Sequence, residues 1–250
     1  MIGRIKDIEK IKDKRVVLLQ SGGLDSCYLA TLLSHYGFTI HHLYIDYGQN
    51  SKDQEFRAAK NIVKRVGGEL HCVKIKMPWL EESTILVNNQ EVEEYDVPTK
   101  FGCVEAKTYV PLRNHVLISI AGSLAEALDI PYIASGLDGT QDIFGRPTKG
   151  TPDKHKKFAK DLEKSISEGS TIKHIGGKKI QIIAPIIGST KEHTIKYGTE
   201  VLHAHWEDSW TCYNNSAKPC GECCACIDRL NHFRNVGIKD PVEYMTEENF

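Results

Sequence analysis

Ser21-Gly-Gly-Leu-Asp-Ser26 is the stretch whose residue types and spacing most clearly suit chemistry. It follows the apolar run Arg15-Val-Val-Leu-Leu-Gln20 and precedes CYLATLLSHYG, where Leu29, Leu32, Leu33 and Tyr36 recur at helical spacing before Gly37. A glycine turn between a buried strand and a helix seats an anion. N–H groups at the helix start point outward, and the helix dipole adds partial positive charge. Gly22 and Gly23 allow close backbone approach and positive φ, and the Ser21 and Ser26 hydroxyls can donate further hydrogen bonds. Asp25 can hold magnesium on a phosphate or cap the helix. The loop lacks the Gly-Lys-Ser/Thr ending of a Walker A sequence. A plain glycine turn with a serine or aspartate cap is the bland reading, and the placement directly between strand and helix argues against it.

A second constellation lies near the C-terminus. Cys212, Cys220, Cys223 and Cys226 form C-x7-C-x2-C-x2-C, and five of the eight cysteines fall between 212 and 226. Each C-x2-C pair can place two sulfurs on one ion, and the longer gap returns the remaining ligand. Four thiolates form the closed tetrahedral site of a structural zinc, which has no open position for catalysis. An iron–sulfur cluster could use the same ligands. Cys224, adjacent to Cys223, is expected to point away and receives no role.

The elements that must position these groups alternate. Beyond the first strand and helix, Thr39–Asp46 reads as a strand, Lys52–Val66 as a helix ending at Gly67-Gly68, and Glu69–Ile75 as a third strand. After an irregular stretch from about 78 to 108, Asn114–Leu128 reads as a helix, Tyr132–Ser135 as a strand and Lys154–Ile166 as an amphipathic helix. Ile180–Pro185 and Lys191–Val201 supply a further strand and helix. This alternation predicts an α/β fold with a doubly wound, mostly parallel sheet. Ligands then sit beyond the carboxyl ends of the strands, where Ser21–Ser26 falls. Residues 1–205 read as the α/β domain that carries the glycine loop, and 206–250, rich in Cys, Asn and Gly, as a small zinc-binding lobe packed on it.

Composition narrows the function classes. The 250 residues are 40% hydrophobic and 26% charged, with a formal net charge of −1, so no nucleic-acid partner is expected. No apolar run nears the roughly 20 residues of a membrane span. The charged start MIGRIKDIEKIKDKR lacks a signal-peptide core, so the chain reads as cytoplasmic, where clustered cysteines bind metal rather than form disulfides.

The loop resembles the SGGxDS pyrophosphate loop of the N-type ATP pyrophosphatases, whose fold is adenine nucleotide alpha hydrolase-like. That resemblance implies ATP with Mg2+, cleavage between the α- and β-phosphates, and an adenylated substrate. More specifically, the chain resembles the 7-cyano-7-deazaguanine synthases, the QueC family. The likeness runs from about residue 15 to 241 through VVLLQSGGLDS (16–26), YIDYGQ (44–49), YVPLRN (109–114), SIAGSLAEAL (119–128), PIIGSTKEHTIKYG (185–198), WTCYN with PCGECCACIDR (210–229) and GIKDP (237–241). It implies adenylation of the carboxylate of 7-carboxy-7-deazaguanine, attack by ammonia to give an amide, then a second activation and dehydration to the nitrile. Homodimers are common in the family.

On that reading Ser21, Asp25, Ser26, Arg113 and Lys191 are the catalytic candidates. The nucleotide is expected against Leu19, Gln20, Ser21, Gly22, Gly23, Leu24, Asp25, Ser26 and Cys27, with Asp46 and Asn114. Arg113 suits bidentate pairing with phosphate or carboxylate. Lys191 could stabilise the leaving pyrophosphate or simply face solvent, and Asp46 could contact the nucleotide or cap a turn. Trp210 and Tyr213 could stack on a purine-like ring or pack around the zinc lobe. His41 and His42 read as structural.

One segment departs from the family pattern. Where a compact D-x-S-G-Y-P-D-C-R is usual, this chain has DIFGRPTKGTPDKH at 142–155. Asp153 aligns, but Lys154 stands at the cysteine and His155 at the arginine. The departure motivates a second reading: a paralogue that transfers the activated deazaguanine to an amine on a protein or other partner, as in a defence system.

Overall fold

The computed structural model describes residues 1–78, 110–141, 147–149 and 152–246, together with the strand pairs 97–98 and 104–105. The helices are α1 (Ile5–Glu9), α2 (Leu24–His35), α3 (Lys52–Val66), α4 (Arg113–Ala127), α5 (Lys156–Gly169), α6 (Thr171–Gly176), α7 (Lys191–Glu200) and α8 (Cys224–Asn235). The strands are β1 (Arg15–Leu19), β2 (Thr39–Asp46), β3 (Glu69–Lys74), β4 (Val97–Pro98), β5 (Val104–Glu105), β6 (Tyr132–Ala134), β7 (Thr140–Gln141), β8 (Pro147–Lys149) and β9 (Gln181–Ile183).

β1 is central because it has nothing polar to show a neighbour: Val16, Val17 and Leu18 are fully buried. Five strands pair around it in the order β3-β2-β1-β6-β9, every pairing parallel. The chain winds outward from β1 to β3, then crosses back to β6. The order therefore reverses between β1 and β6, and a crevice opens there beyond the carboxyl ends. β4–β5 and β7–β8 form two short antiparallel pairs.

Helices cover both faces, as a sheet buried on each side requires. On one face Leu29, Leu32 and Leu33 of α2 pack with Ile195, Trp206 and Phe233. On the other, Ile118, Ala121 and Ala125 of α4 pack with Ala159 and Leu162 of α5 over Val17, Leu43 and Ile182. The amphipathic α3 turns Ala58, Ala59 and Ile62 inward.

Besides α6 and the short strands β4, β5, β7 and β8, α1 and α8 escape the sequence reading. α1 is too short and charged to register, yet its Ile8 is fully buried, and Ile2 before it bridges Ile183 in parallel at the sheet edge. α8 arises inside the cysteine-rich segment and drives Phe233 into the core beneath α2. Residues 142–146 and 150–151 of the atypical segment lie outside the described residues, as do most of the stretch from 78 to 108 and Tyr109 of the YVPLRN motif.

Candidate active site

The loop after β1 is held by its own side chains. Ser21 Oγ accepts from Gly23 N at 3.2 Å, Ser26 Oγ donates to Gly23 O at 2.9 Å, and Gln20 Nε2 donates to Ser26 Oγ at 3.1 Å. Gln20 also contacts His42 Nδ1 at 3.2 Å, and His42 Nε2 lies 3.0 Å from Gly67 O, so His42 braces the loop from β2. Burial pushes the His42 imidazole down to about 4, which keeps the ring neutral.

Gly22 is required twice over. Its φ is +80°, and a Cβ there would lie 2.3 Å from Glu55 O on α3. Gly23 has φ −78° and is the N-cap of α2. The sequence reading assigns positive φ to both glycines; the structure corrects it to Gly22 alone, because Gly23 has already turned into the extended N-cap conformation. With glycine as cap, no side chain covers the helix start, and the first helical bond is Cys27 N to Gly23 O at 2.9 Å. The N–H groups of the first turn therefore have no partner within the helix, the condition that seats an anion.

Beside the loop lies a cavity of about 260 Å3. Leu19, Gln20, Ser21, Asp25 and Ser26 line it from β1 and α2, and Arg113 and Asn114 from the start of α4. Leu24, Cys27 and Asp46 are not among its lining residues. Leu24 and Cys27 are buried under α2; burial pushes the Cys27 thiol up to about 12. Asp46 folds back on its own turn, accepting from Gly48 N at 2.9 Å, with Lys74 Nζ at 3.6 Å. Its placement is that of a turn cap.

Lys191 begins α7, 166 residues after Asp25, and its ammonium hydrogen-bonds both Asp25 carboxylate oxygens. It also lies 3.2 Å from Asp138 Oδ2, while Lys154 Nζ is 3.0 Å from Asp138 Oδ1. Two lysines and two carboxylates thus alternate along one side of the site. Burial alone would lower the Lys191 ammonium, but Asp25 and Asp138 outweigh it and hold the group charged. Burial likewise works against ionised Asp138, and the two lysines overcome it, holding this carboxyl well below the usual aspartate range.

Arg113 donates to Tyr47 Oη at 3.2 Å. Glu55 also faces the cavity, accepting from Ser51 Oγ at 2.7 Å and Gln49 Nε2 at 2.9 Å; burial raises its carboxyl above the ordinary glutamate range. The start of α4 is fixed by Asp153 Oδ2, which accepts from Asn114 N at 3.0 Å. Asp153 is therefore a helix cap, and the lysine beside it is the member of the atypical segment that enters the cavity. Tyr47, Glu55, Asp138 and Lys154 escape the sequence reading. Lys154 did carry a signal, as the residue that departs from the family pattern; for Tyr47, Glu55 and Asp138 the signal was position, each lying just past the carboxyl end of a strand or on the helix that follows it.

The four cysteines converge. Sγ atoms of Cys212 and Cys220 are 3.5 Å apart, those of Cys220 and Cys226 3.9 Å, and those of Cys223 and Cys212 3.9 Å. A tetrahedron of sulfurs about 2.3 Å from a zinc has edges of about 3.8 Å, so the donor set fits that ion. Backbone N–H groups of Asn214, Cys220 and Cys223 point at cluster sulfurs from 3.3–3.4 Å, as thiolates require. Cys224 is the first residue of α8 and stands outside the cluster.

This centre is tied to the loop. Arg229 of α8 is buried, pairs with both oxygens of Asp240 at 2.7 and 3.0 Å, and donates to Ser209 Oγ, Thr211 Oγ1 and Trp206 O. These bonds set the 206–211 segment, from which Trp210 N donates to Gly22 O at 2.8 Å. Trp210 Nε1 is committed to Cys212 O at 2.8 Å, and Tyr213 packs on Val110.

Fold and site together define an α/β protein with a glycine loop at the sheet's switch point, its helix start open to an anion, and a four-cysteine cluster able to hold a metal braced against that loop. Within that class, the chain belongs to the QueC family: the family model described as queuosine biosynthesis protein QueC matches residues 15–237. Curated relatives named 7-cyano-7-deazaguanine synthase include one from Clostridium kluyveri, 32% identical over 94% of this chain and 100% of its own length. Another, from Methanobrevibacter smithii, is 33% identical over 92% of this chain and 98% of its own. A predicted subunit of tRNA methyltransferase from Methanocaldococcus jannaschii aligns at TM-score 0.40 and 17% identity over 74% of each chain; the fold assignment rests on the strand order instead. No described helix is long and apolar enough to cross a membrane.

Proposed function

We propose that this chain is the ligase that converts 7-carboxy-7-deazaguanine and ammonia, at the expense of ATP, to 7-cyano-7-deazaguanine. The observation that carries the reading is the convergence, in one cavity at the switch point, of the uncovered start of α2, Arg113 and Asp25, whose carboxylate Lys191 holds from outside the cavity lining. A carboxylate resists attack by ammonia until one oxygen becomes a good leaving group. Transfer of AMP to that oxygen releases pyrophosphate; ammonia then displaces AMP to form the amide. A second adenylation, on the amide oxygen, lets loss of AMP and a proton leave the nitrile.

In that sequence the Ser21 and Ser26 hydroxyls and the first-turn N–H groups of α2 would hold the phosphates. Lys191 would meet the charge that develops on departing pyrophosphate. Asp25 would be the residue to hold magnesium, whose charge would screen the phosphates. Arg113, hydrogen-bonded to Tyr47, is suited to the substrate carboxylate, with Asn114 beside it. Lys154, at the position where the family resemblance implies a cysteine, places a further cation at the cavity. Four thiolates leave zinc no open position, so its part is to hold residues 206–250 as a lobe and, through Trp210, the loop. Neither the site nor these relatives favour an amine acceptor other than ammonia.

The test is incubation with 7-carboxy-7-deazaguanine, ATP, magnesium and ammonium, with mass spectrometry of the small molecules. The nitrile is expected. Pyrophosphate release without amide or nitrile would overturn the acceptor, and no ATP-dependent product would overturn the substrate.

A further inference from the structure

A cluster of metal-ligand types lies at the β3 edge of the sheet, outside the cavity lining. Gly67 and Gly68 end α3 with φ +80° and +106°, and a Cβ on Gly68 would lie 2.3 Å from Ile40 O. Only glycine lets the chain press that close to β2, and the approach sets the register of the edge strand. His41 pairs with Glu69, and Leu43 with His71. Side chains of paired residues, and of residues two apart along a strand, share a face. His41, Glu69 and His71 are thereby brought together on one face of the β2–β3 edge.

Their donor atoms match a coordination polyhedron. His41 Nδ1 and His71 Nε2 are 3.2 Å apart, Glu69 Oε2 is 3.5 Å from the first and 3.7 Å from the second, and the two rings stack at 5.4 Å. Zinc bound tetrahedrally at about 2.0–2.2 Å to nitrogen and carboxylate oxygen holds its donors about 3.3–3.5 Å apart. Two imidazoles and one carboxylate are the donor set of zinc and its first-row neighbours rather than of calcium or magnesium. The imidazoles are mostly buried, 18% and 22% exposed, whereas Glu69 is 66% exposed. The site is thus rigid on its protein side and reachable from solvent. None of the three falls in the motifs that carry the family resemblance, and none of them lines the cavity.

We propose that His41, Glu69 and His71 form a second metal site, taking one zinc-class divalent ion with a water in the fourth position and clasping the edge strand β3 to β2. The competing account of the same geometry is a hydrogen bond between two imidazoles sharing one proton, with Glu69 solvated beside them.

Zinc itself is the probe. The full-length protein is dialysed to equilibrium against micromolar zinc and its metal content measured, beside His41→Gln, His71→Gln and Glu69→Gln. Wild type is expected to carry one equivalent beyond the four-cysteine zinc, and each histidine variant to lack it while keeping the first. Because Glu69 is mostly exposed, Glu69→Gln leaves folding secure; it should weaken the second equivalent at least tenfold. A cobalt-loaded sample gives an independent reading. The sulfur-to-cobalt charge-transfer band of the cysteine centre should persist in all variants, and the visible bands of a nitrogen–oxygen site should vanish in the histidine variants. Wild type holding only the cysteine-bound equivalent, or the extra equivalent surviving in every variant, would overturn the proposal. Turnover is expected to stay at the wild-type level throughout, so the outcome is independent of the reaction assigned above.

Discussion

Replacing Lys191 with methionine tests the charge alternation at the heart of the site. The ammonium sits between Asp25 and Asp138, with 20% of the lysine side chain and 23% and 18% of the two aspartates exposed. Methionine keeps the bulk of the stem but leaves two carboxylates facing only Lys154. Breaking a buried pair by removing one partner costs about 3–5 kcal/mol, and partial solvent access puts the expectation near the lower end. At about 2–4 °C per kcal/mol for a chain of this size, the melting temperature should fall by roughly 6–12 °C at neutral pH. The pH dependence has a defined sign. Asp138 has its folded pKa depressed, so its contribution is present above the unfolded value of about 3.9 and is lost as pH falls below it. Burial raises the carboxyl of Asp25, the main partner of Lys191, so the gap between wild type and Lys191→Met is largest at neutral pH and narrows on acidification, first as Asp25 takes up its proton and then as Asp138 does. Guanidinium unfolding followed by circular dichroism at several pH values reads the gap. Turnover, measured as pyrophosphate release, should drop about 10²–10³-fold if the ammonium meets developing charge. A melting temperature within a degree of wild type at pH 7, with turnover unchanged, would refute the reasoning.

Three further outcomes are expected. Gly22→Ala forces a side chain into Glu55 O at positive φ; about 1–3 kcal/mol of strain should displace the loop, lowering turnover in an enzyme whose circular dichroism remains native. Cys220→Ser should lose the zinc held by the cysteine cluster and melt earlier, read by elemental analysis and calorimetry, and retention of that ion would break the ligand assignment. Arg229→Met strands Asp240, both side chains being only 3% exposed, and should cost about 3–5 kcal/mol in chemical unfolding. Because Arg229 also sets the segment that bonds Gly22, its turnover should fall further than its stability alone explains.

The parts of this protein legible in its sequence are those governed by neighbours along the chain. The strand–glycine loop–helix unit could be read because burial, turn and helix signals sit side by side, and α3 has the predicted bounds Lys52–Val66 because amphipathic spacing and terminal glycines are local. The four zinc-ligand candidates were readable because thiolate spacing itself encodes a coordination shell. The switch-point placement of the loop followed from the strand–helix alternation alone.

Tertiary structure decided everything that depends on which distant elements meet. Asp46 and Asp25 look equivalent as acids near strand ends, yet Asp46 turns to its own Gly48 amide while Asp25 receives Lys191 from α7. Lys154 appears in the sequence as an oddity in an atypical segment; only the packing of that segment on α4 puts its ammonium against Asp138. Arg229 and Asp240 carry no local signal, and the histidine–glutamate cluster exists only in the register that Gly68 imposes on β3. Periodicity and spacing report on contacts within a few residues, where geometry is fixed by the backbone. Side chains that approach across the fold are placed by burial and charge compensation over the whole molecule.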